Sequence, residues 1–265
     1  MAEPALRIEW GVSNVPHPHK GDGEDTWFIV NDAKMPAAGV FDGVGAWQDE
    51  NINPIYWSMA VADGCSAAIM DGVTGPISIL SEGYKNAISS GHEGSCTACI
   101  AIKNGPRSIA IANLGDSATA LYREGEMVFE TQQQEYMFNY PYSLSSEKDA
   151  KPADADRKLL TKLKSGDILI MATDGLWDNL YHKEIIKFLD DDLNPEDIAA
   201  NLAVSAFHAS NDGKRWAPFS QAAVENLYSS SPYADDPEFT PPPAPLVDYM
   251  GGKPDDITVI VGRLS

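Results

Sequence analysis

Apolar residues recur along this chain in short runs, either continuously or at every second position, and such runs predict β-strands. Asn104-Gly105 and Glu124-Gly125 separate neighbouring runs, and both pairs are typical of hairpin turns. The middle of the chain is therefore expected to form a strand meander. The predicted strands cover residues 27–30, 37–41, 97–102, 108–114, 118–123, 127–131, 167–173 and 257–264.

Helices are predicted on both sides of this meander. Pro54 and Pro76 each open one, because proline suits the first helical turn. The predicted order of strands, two helices, a meander, further helices and a last strand favours an antiparallel α+β fold in a single domain over residues 1–265. Residues 211–252, rich in Pro, Ser, Asp and Tyr, are expected to form a long surface excursion. The predicted helices cover residues 54–70, 76–89, 183–189 and 195–208, with one more near 221–228.

Charge and cysteine content narrow the function classes. The chain has 265 residues, with 19 basic against 39 acidic side chains and a formal net charge of −20. This excess argues against a general nucleic-acid-binding surface. Three cysteines cannot form a fully paired disulfide framework, so we expect a reducing compartment. Cys96 and Cys99 lie in a strand-like run, which predicts core thiols rather than a redox pair.

The sequence contains no apolar run of about eighteen residues, the length that a membrane-spanning helix needs. Residues 1–10 lack both the apolar core of a signal peptide and the arginine-rich character of a transit peptide. We expect either a cytosolic protein or a chain without its targeting segment.

Four acidic islands lie at the ends of predicted strands or at the turns beside them. Carboxylates held at strand ends can converge, and close carboxylates repel unless they are protonated or neutralised by a cation. Such hard oxygen ligands suit Mg²⁺ or Mn²⁺. The pattern therefore predicts a metal-dependent enzyme. The islands are G-E-D-T-W-F at 23–28, F-D-G-V-G at 41–45, A-T-D-G-L-W-D at 172–178 and K-P-D-D-I-T-V at 253–259.

An Asp-Gly pair follows two of the predicted strands, at Asp42-Gly43 and at Asp174-Gly175. A lone Asp-Gly is most often an ordinary turn, and it is the repetition that favours ligands. Asp178 would share a face with Asp174 if a helix begins there. Gly115-Asp116-Ser117 is a third turn of similar design.

Two pairs of adjacent acids pose a choice, because neighbouring residues on a strand point to opposite sides. Asp255-Asp256 precedes the last strand, and one of the two is expected to be a ligand. Glu24-Asp25 poses the same choice near the start of the chain.

Six ordered motifs extend over nearly the whole chain. They are G-E-D, F-D-G-V-G-A-W, G-S-C-T-A-C, A-N-L-G-D-S, A-T-D-G-L-W-D-N and G-G-K-P-D-D-I-T-V. Together they resemble the metal-dependent protein serine/threonine phosphatases of type 2C, the PPM family. The resemblance implies a four-layer α-β-β-α sandwich with two central antiparallel sheets. It also implies hydrolysis of phosphoserine and phosphothreonine in proteins by a water that bridges two Mn²⁺ or Mg²⁺ ions, without a phosphoenzyme.

The resemblance also implies roles for individual residues. Asp42 would bridge the two ions, and the Gly43 carbonyl would ligate one of them. Asp174 and Asp255 would complete the shell of one ion, with Asp256 ranked below Asp255 as a ligand. The remaining acids carried over are Glu24 and Asp25 on the second ion, partly through water, and Asp116 with Asp174 or Asp178 at a third, weaker position.

The chain departs from the family pattern at two places. Many members have His directly after the first Asp-Gly, a candidate acid for the leaving group, whereas Val44 stands here. His17 and His19 are candidate substitutes, although an exposed loop is the preferred interpretation. The family's phosphate-binding Arg is absent too, and Lys20 lies nearest to its place, where it would hold phosphate as a point charge.

With these departures, the chain resembles one subgroup of the family, which includes phosphatases of mitochondria and plastids. The subgroup also shares the aromatic segment at 132–145, whose tyrosines either recognise substrate or simply pack a long loop. We expect a phosphorylated protein as substrate, no nucleic-acid partner and a monomer. The alternatives are a pseudophosphatase that binds phosphoproteins without turnover and a hydrolase of small phosphorylated metabolites.

Overall fold

A computed structural model describes residues 4–31, 35–147, 149–229 and 249–265. Two five-stranded antiparallel sheets form the centre of this structure, and helices cover their outer faces. The strands are β1 (Ile8–Val15), β2 (Thr26–Val30), β3 (Ala37–Phe41), β4 (Ser95–Cys96), β5 (Ala98–Lys103), β6 (Ile109–Leu114), β7 (Ala118–Arg123), β8 (Glu126–Glu130), β9 (Glu135–Met137), β10 (Tyr140–Pro141), β11 (Leu144–Ser145), β12 (Asp156–Leu160), β13 (Ile168–Ala172) and β14 (Ile257–Leu264). The helices are α1 (Ile55–Met70), α2 (Pro76–Ser90), α3 (Asp174–Trp177), α4 (His182–Ile185), α5 (Pro195–Ser210) and α6 (Pro218–Ser229).

The first sheet has the strand order β1-β14-β13-β7-β8 and the second β12-β6-β5-β3-β2. Three apolar clusters lie between the resulting four layers. One lies between α1, α2 and the second sheet, one between the two sheets, and one between the first sheet and α5. The α+β sandwich predicted for this chain is confirmed.

Burial on both faces explains the continuous apolar runs of the central strands. In β5, Ile100 and Ile102 pack against the helices, whereas Cys99 and Ala101 face the other sheet. In β13, Ile170 faces the α5 side and Met171 faces the second sheet. Strands covered on one face only would alternate between apolar and polar residues instead.

Two strands of the sheets were not predicted. β1 lies at a sheet edge and carries polar residues such as Ser13 and Asn14, which mask its pattern. β12 is also an edge strand, and Arg157 and Lys158 in its centre are exposed. Edge strands commonly carry charge, because charge discourages pairing with another chain.

Three further predictions need correction. The helix expected at 183–189 is divided into α4 and a 3₁₀ turn at Ile186–Phe188. The helix near 221–228 begins earlier, at Pro218. The excursion at 211–252 is packed in its first part, where Ala217 and Val224 are buried, while residues 230–248 lie outside the described residues. Among the helices that the structure describes, none has the length and apolar character needed to cross a membrane.

Candidate metal centre

Strand register brings the acidic islands to one end of the sandwich. Thr26 pairs with Phe41, so Asp25 and Asp42 lie just beyond the same end of β2 and β3. Ala172 of β13 pairs with both Ala118 and Val259, so the acids that flank those strands lie at that end of the first sheet. These acids are Asp116, Asp174 and Asp255.

Asp42, Asp116 and Asp174 offer carboxylate oxygens that lie within 4.8 Å of one another. Asp116 and Asp174 are only 6% and 5% exposed. Burial, and then repulsion from Asp174, raises the pKa of Asp42 and of Asp116 well above the usual value. Assembling these groups therefore costs free energy unless a cation neutralises them.

Unpartnered oxygens in this cluster fit a metal. The Oδ1 atoms of Asp25, Asp116 and Asp174 are buried and have no hydrogen-bond partner in the part of the chain that the structure describes. A buried acceptor left without a partner costs about 1–3 kcal/mol. A divalent cation that prefers oxygen ligands would satisfy such atoms. The donor set therefore fits Mg²⁺ or Mn²⁺.

Both Asp-Gly turns need glycine because another backbone lies against them. A Cβ atom on Gly43 would lie 2.7 Å from the carbonyl oxygen of Glu24. The Gly43 amide also donates a hydrogen bond to that oxygen, at 3.2 Å. A close approach between the two backbones is thus present at Gly43. It fixes Asp42 beside the Glu24-Asp25 pair.

Asp25 and Glu24 are held in different ways. Asp25 Oδ2 accepts hydrogen bonds from the hydroxyls of Thr173 and Thr258, both at 2.8 Å, and its Oδ1 remains unpartnered. Glu24 Oε1 accepts from Gln48 at 2.6 Å, and Oε2 lies 2.6 Å from the ammonium of Lys20. Among the described residues, Asp25 Oδ1 and Glu24 Oε2 both lack a hydrogen-bond partner, but Glu24 Oε2 is paired with the Lys20 ammonium.

The side chains of Asp255 and Asp256 have different surroundings, as expected for neighbouring residues that point to opposite sides of an extended segment. Asp256 is buried, and its two oxygens accept from the backbone amides of His17, at 2.6 Å, and Glu24, at 3.0 Å. Asp255 lines the cleft instead. Asp256 therefore anchors the loop that carries Glu24, which agrees with its lower rank as a ligand.

Two lysines lie among the acids. Lys20 Nζ is 3.1 Å from Asp255 and 3.6 Å from Asp256, besides its contact with Glu24. Lys253 Nζ contacts Asp174, lies 2.8 Å from Asp178 and 3.6 Å from Asp255. Burial alone would lower the pKa of Lys253, but Asp174 and the other carboxylates raise it well above its usual value.

Sequence reasoning missed Lys253 as a site residue. Its only signal was its place two residues before Asp255 in the last motif. The helical relationship expected between Asp174 and Asp178 is present, because α3 begins at Asp174 and both acids contact Lys253.

An open cleft of about 450 Å³ lies over the acids. Val44 and Trp47 line one part of it, and Tyr140 and Ser143 from the aromatic segment line another. His17 and His19 are not among its lining residues in the described part of the chain.

Cys65, Cys96 and Cys99 are buried free thiols, as predicted for Cys96 and Cys99, and burial raises the pKa of all three.

Comparisons with known proteins show which family has this arrangement. No protein-family model matches the chain. Probable protein phosphatase 2C 80 of Arabidopsis thaliana is 33% identical over 98% of this chain. The protein phosphatase PTC7 homolog of Xenopus laevis is 30% identical, and the match covers 92% of this chain and 82% of that protein. The chain belongs to the protein phosphatase 2C family.

Solved structures share the phosphatase 2C sandwich. The photosystem II phosphatase PBCP has a TM-score of 0.86 at 28% identity, over 97% of this chain and 99% of that one. The catalytic domain of PstP in complex with two manganese ions has a TM-score of 0.63 at 15% identity, over 98% and 99%, which shows the fold alone. The chain spans 59% of the length of the Arabidopsis relative, so that protein includes further residues without a counterpart here.

Proposed function

We propose that this chain is a protein serine/threonine phosphatase that uses two divalent cations, Mn²⁺ or Mg²⁺. The observation that carries the proposal is the convergence of Asp42, Asp116 and Asp174 below an open cleft, with buried oxygens that lack hydrogen-bond partners. Membership of the phosphatase 2C family supports the same activity.

We assign the ligand roles from the positions of these residues. Asp42 is close enough to both Asp174 and Asp25 for their charges to raise its pKa, so we assign it to both ions. Asp174 and Asp255 would complete the shell of one ion, and Asp25 with the Gly43 carbonyl would contribute to the other. Glu24 acts through its contacts with Gln48 and Lys20. Asp116 and Asp178 lie on the Asp174 side of the centre.

When bound, the cations would lower the pKa of an attacking water and neutralise the phosphoryl oxygens, so that no phosphoenzyme is needed. The buried cysteines suit this chemistry, because their raised pKa values disfavour a thiolate nucleophile. Val44 cannot donate a proton to the leaving alkoxide. Lys20 lines the cleft and would hold the substrate phosphate as a point charge, anchored by Glu24 and Asp255.

We further propose a phosphorylated protein as the substrate, since the cleft over the acids is open and is lined by Tyr140, an aromatic side chain that can pack against a peptide. The formal charge of −20 disfavours a nucleic-acid partner. The enzyme would act as a monomer with one catalytic domain. The location would be a mitochondrion or a plastid, and the similarity to the photosystem II phosphatase supports the plastid.

Phosphate release from a phosphothreonine peptide tests the proposal, with and without Mn²⁺ and with EDTA. We expect Mn²⁺-dependent release that Asp174→Asn lowers more than about 100-fold, because loss of a ligand should cost at least as much as loss of an outer-shell partner. Asp63→Asn, an exposed acid on α1, is the matched control and should retain the wild-type rate. A wild-type chain that binds Mn²⁺ but releases no phosphate would instead fit the pseudophosphatase alternative.

A further inference from the structure

Lys253 carries a positive charge into one side of the acidic centre. Its Nζ contacts Asp174 and lies 2.8 Å from Asp178, while Asp255 is 3.6 Å away. These three carboxylates converge on one ammonium group. On the other side of the centre, Lys20 is bound by Glu24 and Asp255.

The buried side chain of Asn179 holds the backbone of Lys253 in place. Asn179 Nδ2 donates a hydrogen bond to the Lys253 carbonyl oxygen at 2.9 Å, and the Lys253 amide donates to Asn179 Oδ1 at 2.9 Å. Asn179 is fully buried, and it also donates to the Gly175 carbonyl oxygen at 3.0 Å. One amide therefore ties Lys253 to the helical turn that begins with Asp174.

An aromatic ring fixes the other end of the side chain. Lys253 Nζ lies 5.3 Å from the centre of the Phe219 ring, a cation–π distance. Phe219 in turn packs on Phe138 of the aromatic segment, with ring centres 5.2 Å apart. A lysine side chain is flexible, and these contacts hold the Lys253 ammonium beside the acidic side chains.

A third divalent cation at Asp178 would lie beside the fixed Lys253 ammonium, which is 2.8 Å from that carboxylate, and the two positive charges would repel strongly. The resemblance to the phosphatase 2C family implies a third, weaker cation position that includes Asp178, and Lys253 already supplies a positive charge to this carboxylate. We propose that the Lys253 ammonium serves as a built-in cation in place of a third metal ion, so that this chain binds two ions rather than three.

This inference rests on the proposed two-ion function, but its test needs no turnover. The number of Mn²⁺ ions bound per chain can be counted by electron paramagnetic resonance of free Mn²⁺, with Mn²⁺ alone as the ligand. We expect two ions in the wild type and three in Lys253→Gln, which removes the charge and leaves a polar side chain that is one atom shorter. Lys183→Gln is the matched control, because Lys183 Nζ also lies over an aromatic ring, 5.1 Å from the centre of Tyr181, but outside the cleft. It should bind two.

Asp178→Asn decides the question even if Lys253→Gln fails to fold. In the wild-type background, this change should leave the count at two, since Asp178 serves Lys253 rather than an ion. In the Lys253→Gln background, it should remove the ion that was gained. An unchanged count in folded Lys253→Gln, or loss of an ion in Asp178→Asn alone, would overturn the inference.

The two proposals can fail separately. A wild-type chain that binds two Mn²⁺ ions and gains a third in Lys253→Gln, yet hydrolyses no phosphopeptide, would remove the proposed activity and leave the role of Lys253 intact.

Discussion

Gly175 lies directly against the backbone of Asp256: a Cβ atom at Gly175 would lie 2.1 Å from the Asp256 carbonyl oxygen. This contact joins the turn after β13 to the turn before β14. Asp174 and Asp255, the neighbours of these two residues, come together because no side chain separates the turns. Small size at position 175 is therefore a requirement of the site as well as of packing.

Gly175→Ala should destabilise the fold. The new methyl group meets backbone atoms that cannot rotate away, so we expect a loss near the upper end of about 1–3 kcal/mol. Urea unfolding measures the change. Gly213→Ala is the control, because a Cβ atom there meets no atom of the described residues within 4 Å, and its stability should match that of the wild type. Equal stability of both variants would contradict the close contact.

Asp256→Asn should lower the stability of the fold, whereas Asp255→Asn should lower the affinity for Mn²⁺. Asp256 accepts two backbone hydrogen bonds in a buried position, so its loss should cost about 1–3 kcal/mol of unfolding free energy. Asp255 faces the cleft, so its change should mainly weaken Mn²⁺ binding. Thermal unfolding and calorimetric titration with Mn²⁺ separate the two effects. A stability loss confined to Asp255→Asn would reverse the assignment.

The sequence was informative about which acids converge and less so about what surrounds them. Asp42 and Asp174 were predictable because each follows an apolar run and precedes glycine. Thr258 and Lys253 were not, since a threonine in a strand and a lysine in a turn are common. Their roles depend on contacts between residues far apart in the chain, which no local pattern records.

The strands likewise differ in whether their own residues predict them or only their neighbours in the sheet define them. β13 and β14 were predictable from continuous apolar runs, which reflect burial on both faces. β12 was missed because an edge strand is defined by its neighbour, here β6, and not by its own apolar residues.

Thr258→Val should weaken Mn²⁺ binding through Asp25. The hydroxyl of Thr258 donates to Asp25 Oδ2, and its removal leaves this buried oxygen with only Thr173. We expect about 10–100-fold lower Mn²⁺ affinity, the usual cost of losing an outer-shell partner. Thr119→Val is the control, since Thr119 is equally buried but its hydroxyl contacts Cys99. Unchanged affinity in Thr258→Val would show that Asp25 does not act on a metal.

Tyr140→Ala should distinguish substrate recognition from loop packing in the aromatic segment. Tyr140 is 57% exposed and lines the cleft, so we expect KM for a phosphopeptide to rise roughly tenfold, or about 1.4 kcal/mol. KM for p-nitrophenyl phosphate, which is too small to reach it, should not change. Tyr56→Ala is the control, because Tyr56 is 55% exposed and stacks on His92 outside the cleft. Equal rises for both substrates would point to packing alone.

The claim that the converging carboxylates form a divalent metal centre is tested most directly by anomalous diffraction at the manganese edge, from crystals grown with millimolar Mn²⁺. We predict two manganese peaks at the bottom of the cleft, both in contact with the Asp42 carboxylate and neither in contact with Asp178. A cleft without a manganese peak at Asp42 would contradict the account.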